Sequence, residues 1–158
     1  MEARMKPPVF VVPDVMKALL AVGKAAQQGG LPAITIGLVH LRASQINGCS
    51  LCCDMHSREL EELGETKPRL FTVAAWEDAP WFTDAERAAL ALTECATRIA
   101  DRHDPVPDDV WAEAAKHYDE AALAQLVLHI GLINFWNRMN VPTRQVALGK
   151  KWEPAKAG

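Results

Sequence analysis

Little in this sequence is suited to neutralising a phosphate chain. Its 17 lysines and arginines are scattered among 20 aspartates and glutamates, for a formal net charge of −3, so no basic face is available and nucleic acid is not an expected partner. Also missing is an apolar run of the roughly 20 residues that a membrane-spanning helix needs. The first residues, Met1-Glu-Ala-Arg-Met-Lys-Pro-Pro, have neither the apolar stretch nor the small-residue cleavage site of a signal peptide. These absences predict a cytoplasmic protein with no membrane partner. No segment alternates at the period of a strand, none is of low complexity, and no second Cys-x-x-Cys or histidine pair follows the first. The four cysteines lack the even spread of a secreted disulfide scaffold, since Cys49, Cys52 and Cys53 crowd into five residues and only Cys95 stands apart. In a reducing compartment such crowding points to catalysis, redox sensing or metal binding.

What is present reads as helix. A chain of 158 residues, 49% of them apolar, suffices for one compact domain spanning residues 1–158. Pro7, Pro8 and Pro13 are expected to keep the start extended, with Asp14 capping an amphipathic helix from Val15 to Gln27. Pro32 opens a second, Ala33 to Ser44, with Ile34, Leu38 and Leu41 on one face. Asn47-Gly48 breaks it, and a third runs from Cys49 to Leu63 before Gly64. A short piece follows over 69–76. Thr83-Asp-Ala-Glu86 spells a capping box ahead of Arg87 to Ile99. Asp108 to His117 is a sixth helix, and Asp119 caps a seventh from Glu120 to about Asn137. Between Leu126 and Trp136 this last helix is apolar on nearly every side, so it must be buried in the domain or against another subunit. The tail from Lys150 to Gly158 is expected to be mobile. The fold class is therefore all-α, a bundle of about seven helices.

At 100° per residue, Cys49, Cys52, Cys53 and His56 project from one side of the third helix. Residues three apart on a helix have Cα atoms roughly 5 to 6 Å apart, within reach of a disulfide. Cys49 falls in the first turn, where free N–H groups and the positive helix end favour thiolate, and on that ground alone it would be the nucleophile. His56, one turn beyond Cys52, is a proton-accepting or charged partner. For Cys95 and Cys53 a small buried hydrophobe is the plainer reading. Zinc is a second alternative, but ligands from a single helix turn cannot easily surround a tetrahedral ion, so no metal or other cofactor is expected. A thioredoxin-type module needs a strand and a sheet around its Cys-x-x-Cys, and neither is visible.

The run Leu41-Arg-Ala-Ser-Gln-Ile-Asn-Gly-Cys49-Ser-Leu-Cys52-Cys-Asp-Met-His56 resembles the core motif of the alkylhydroperoxidase D-like, or carboxymuconolactone decarboxylase, family. The likeness continues through Trp81-Phe-Thr-Asp-Ala-Glu-Arg-Ala-Ala-Leu-Ala-Leu-Thr-Glu94 and Ile133-Asn-Phe-Trp-Asn137-Arg-Met-Asn140-Val, and covers most of residues 15 to 145. It implies an all-helical fold that assembles as a homo-dimer, trimer or hexamer. It also implies thiol peroxidase chemistry, in which Cys52 attacks a hydroperoxide, Cys49 resolves the product as a disulfide, His56 belongs to a proton relay, and an external dithiol reductant recycles the pair. Two positions depart from the peroxidase pattern. The relay glutamate is replaced by Gly37, twelve residues before Cys49, and Leu51 stands where those members often carry histidine. His40, one turn after Gly37, is a possible relay substitute or else a core or surface histidine. If Gly37 faces the cysteines, glutamate there would restore a base. A non-redox decarboxylase-like enzyme and a redox sensor without turnover are the competing functions. His129, amid apolar neighbours, reads as a core histidine, and His103 and His117 as solvated ones. Trp76, Trp81, Trp111 and Trp136 read as core or subunit packing, with an aromatic pocket as the lesser alternative.

Overall fold

The structure, a computed structural model, describes residues 1–101 and 103–148; the tail expected to be mobile lies outside them from residue 149 on. Eight α-helices and no strand occur among the described residues: α1 (Pro8–Val11), α2 (Val15–Ala25), α3 (Ala33–Asn47), α4 (Ser50–Glu62), α5 (Lys67–Thr72), α6 (Asp84–Thr97), α7 (Asp108–His117) and α8 (Glu120–Asn140). A 3₁₀ segment, Val73–Asp78, extends α5, so the short piece expected over 69–76 is two joined turns. The proline-rich start is not wholly extended. Pro8 stands at the beginning of α1, where its fixed φ suits a first helical turn and its missing N–H costs nothing.

The expected caps divide two to one. Thr83 and Glu86 exchange both bonds of a capping box at α6, and the Asp119 carboxylate accepts from the Ala122 N–H at 2.9 Å to start α8. Asp14 precedes α2 but caps nothing, because its backbone is left-handed (φ 63°) and not in the extended conformation a capping side chain requires.

α3 is the central helix, packed on α4, α6 and α8, with Leu38, Val39, Leu41 and Ala43 almost fully buried. Two apolar clusters flank it. One joins Val39 to Leu92, Leu126 and Ile130 of α6 and α8; the other joins Leu38 and Leu41 to Leu60, Val73 and Trp76. The second needs a glycine. A Cβ at Gly37 would lie 2.6 Å from Leu60 Cδ2, so α3 and α4 approach this closely only because none is present. α8, apolar all round in sequence, turns Leu126, Ile130 and Ile133 inward and leaves Val127, Leu128 and Phe135 exposed. α2 is different again: none of its eleven residues is buried.

Candidate active site

The chain turns sharply between α3 and α4 because Gly48 takes a left-handed conformation (φ 70°) that glycine adopts without strain. Cys49 then extends and becomes the residue before α4, not part of its first turn, and its Sγ accepts the Cys52 N–H at 3.3 Å. Sulfur thus fills the capping place that serine or aspartate usually takes. Cys49 and Cys52 are joined as a disulfide, with Cα atoms 5.3 Å apart, and are 2% and 1% exposed. Amides tie this turn to α8. Asn47 donates to the side-chain oxygens of Asn134 and Asn137, both at 2.9 Å, Asn137 donates to Ser44 Oγ at 3.1 Å, and Asn140 reaches Cys52 Sγ at 3.5 Å.

Cys52 borders a chamber of about 410 Å³ and Cys49 does not. His40, His56 and His129 line it together with Lys24, Gln27, Glu59 and Asn140; Leu51, Met55, Leu132, Ile133 and Trp136 add apolar wall, and Phe10, Met16, Leu19 and Leu20 come from the α1–α2 arm. Of the four tryptophans weighed for packing, Trp136 therefore fits the pocket alternative and the buried Trp76 the core one, while Trp81 and Trp111 are exposed.

His56 is 6% exposed. Its Nδ1 lies 2.7 Å from Glu59 Oε2, and its Nε2 is buried without a hydrogen-bond partner. A carboxylate only accepts, so Nδ1 carries a proton, and in the neutral ring Nε2 presents a lone pair. His40 lies between two other imidazoles, its ring centroid 4.8 Å from that of His56 and 5.1 Å from that of His129. Its Nε2 is 3.1 Å from His129 Nδ1. Burial, then the neighbouring charges of His56 and His129, push the His40 pKa well below the ordinary histidine value. Burial lowers that of His129 too; the Ala26 backbone opposes this, without a well-aligned hydrogen bond to the ring's Nε2.

Cys49, Cys52, His56 and His40 are thus brought together. Cys53 is not: it packs on the cluster around Leu60, and burial raises its thiol pKa, which suits the hydrophobe reading. Gly37 also faces Leu60 and not the disulfide, so a glutamate there would enter the core. Glu59 is not marked by the motif, although its i+3 spacing from His56 is a usable signal; His129 is buried, as its apolar neighbours imply, and also lines the chamber. His103 and His117 are exposed as expected. Among the described residues no group of three or more His, Cys, Asp or Glu is spaced to hold a metal ion, and no helix is long and apolar enough to cross a membrane.

A Cys-x-x-Cys-x₃-His start on one helix of an all-α bundle coincides with a family model that matches residues 13–94, that of the carboxymuconolactone decarboxylase family. The chain belongs to that family. The uncharacterized protein YdfG of Bacillus subtilis is 35% identical over 140 residues, which are 89% of this chain and 94% of YdfG. A solved structure of a protein of unknown function from Agrobacterium tumefaciens, described as a candidate antioxidant-defence protein AhpD, is 32% identical and superposes with a TM-score of 0.85, covering 92% of this chain and 98% of that one. The debrominase Bmp8 superposes with a TM-score of 0.76 over 87% of this chain and 73% of its own, at 20% identity. This last likeness is one of fold alone. Family membership therefore gives the AhpD-like architecture and leaves the reaction to be argued from the site.

Proposed function

We propose that the chain is a thiol peroxidase that reduces a hydroperoxide through Cys52. The observation that carries this reading is the asymmetry of the pair: Cys52 lines the chamber, as His56 does, and Cys49 does not. In the reduced protein, His56 Nε2 takes the Cys52 thiol proton and Glu59 steadies the resulting imidazolium. The thiolate attacks the outer peroxide oxygen; a sulfur–oxygen bond forms, the oxygen–oxygen bond breaks, and the alkoxide leaves and is protonated to an alcohol. Cys49 then attacks the Cys52 sulfenic acid, forming the disulfide and releasing water. An external dithiol returns two electrons and two protons by exchange and becomes a disulfide itself. The apolar walls favour an organic hydroperoxide over hydrogen peroxide.

Peroxide added to the reduced protein should give an intramolecular disulfide by mass spectrometry. Cys49→Ser should leave a sulfenic acid on Cys52 that a dimedone probe traps, and Cys52→Ser should leave none. Trapping on Cys49 would reverse the assignment. Turnover of a lactone acid by a variant with alanine at both positions would replace this reading with non-redox chemistry.

We propose further that a second copy of the chain covers the exposed Val127, Leu128 and Phe135 stripe of α8, since an apolar helix face of this kind is normally buried. Light scattering at micromolar concentration should give a mass above the 17.3 kDa of one chain; a monomer would sink this.

A further inference from the structure

In-line attack puts the departing oxygen on the far side of the attacked oxygen from the sulfur. The base that takes the thiol proton stands beside the sulfur, so it is poorly placed to protonate what leaves. A second proton carrier, displaced from the first, would close the cycle.

The three imidazoles are ordered for this. Glu59 holds the His56 proton on Nδ1 and leaves Nε2 bare. At the other end His129, 4% exposed, has Nδ1 against His40 Nε2, and its Nε2 is buried with no hydrogen-bond partner. One of the two rings donates across that contact; with His40 Nε2–H as the donor, His129 accepts at Nδ1 and keeps its own proton on Nε2. His40 Nδ1 is then unprotonated. His40 keeps some surface where the chamber wall opens, with its ring beside that of His56.

We infer that His40 is a catalytic acid, receiving on Nδ1 the proton that His56 takes from Cys52 and giving it to the departing alkoxide, and that His129 is a positioning residue that fixes the His40 tautomer. The inference rests on the peroxidase reading. It conserves protons: the thiol proton moves from sulfur to His56, to His40 and to the alkoxide, and both histidines return to their starting forms. Burial beside two other imidazoles makes a protonated His40 a strong acid, which suits rapid release.

The test uses substrates that differ in their need for that proton. tert-Butyl hydroperoxide expels a strongly basic alkoxide, whereas peracetic acid expels acetate, which leaves unaided. Single-turnover oxidation of the full, pre-reduced chain is followed by the fluorescence of its tryptophans, including Trp136 at the chamber wall. His40→Asn should slow the alkyl hydroperoxide by about 10²- to 10⁴-fold and peracetic acid by less than about tenfold. His56→Asn should slow both alike. His129→Leu should reproduce the selective loss, and His129→Gln, whose side-chain oxygen can still accept from His40, should restore most of it. Equal slowing of both substrates by His40→Asn would overturn the inference and leave the peroxidase reading standing. Failure of the wild-type chain to oxidise with either substrate would overturn the peroxidase reading itself. Should His40→Asn not fold, a series of hydroperoxides of graded leaving-group acidity on the wild type decides: a flat rate supports proton delivery, and a steep dependence overturns it.

Discussion

The two sides of the chamber are held by different means. Its floor, from α3, α4 and α8, rests on nearly fully buried leucines and on amides that link Ser44, Asn47, Asn134 and Asn137 across helices. Its roof is the α1–α2 arm, in which α2 buries nothing completely and Phe10, Leu20 and Val22 stay about half exposed. Reacting groups need placement to within a fraction of an ångström, and rigid elements supply it. The roof needs only to exclude water and admit an apolar molecule, and elements with few buried contacts open at the least cost. The contrast assigns chemistry to the floor and access to the roof.

The sharpest way to break the contrast is to overfill the floor. Gly37→Glu would drive a Cβ into Leu60 and bury a carboxylate without a partner, at a cost of about 3–5 kcal/mol. Urea denaturation should show a large fall in midpoint, or no folded protein; a stable variant with faster peroxide reduction would mean that position 37 reaches the disulfide after all. The intermediate effect is one of pH. His40 and His129 have folded-state pKa values lowered by burial, so the unfolded chain binds protons more readily and stability falls as pH drops below the ordinary histidine value of about 6.5. Thermal melts between pH 7 and 5 should show this decline, and a variant with asparagine at both positions should flatten it; an unchanged slope would place the pH sensitivity elsewhere. The smallest effect belongs to the roof. Leu20→Ser, at an exposed position bordering the chamber, should change stability by less than about 0.5 kcal/mol. It should raise KM for an apolar hydroperoxide by no more than about tenfold. A large loss of stability would show the arm to be part of the floor's core.

The sequence made the floor easier to read than the roof. Proline and glycine punctuation, the Thr83 and Asp119 caps and the Cys49-to-His56 spacing are local signals, and the corresponding helices lie within a few residues of where those signals put them. What could not be read depended on contacts between distant segments. His129 looks like a core residue until α8 is laid across α3 and its ring meets His40, 89 residues away. Gly37 looked like a missing carboxylate because the motif names only a position along the chain, whereas the approach of Leu60 gives its direction. Cys53 shared a helical sector with Cys52 on a wheel, yet one residue's rotation, 100°, was enough to take it into the other cluster. The proline-rich start was misread as extended because proline both ends helices and begins them.

Because a sulfur atom caps α4, the proposed dithiol cycle would also act on how that helix begins. The sulfur of Cys49 that accepts from the Cys52 amide is a disulfide sulfur when the pair is bonded and a thiol sulfur when it is reduced, and both are weak acceptors. Oxidation and reduction of the pair would therefore change the acceptor at the first turn of α4, and hydrogen exchange at the Cys52 amide would report the oxidation state of the pair.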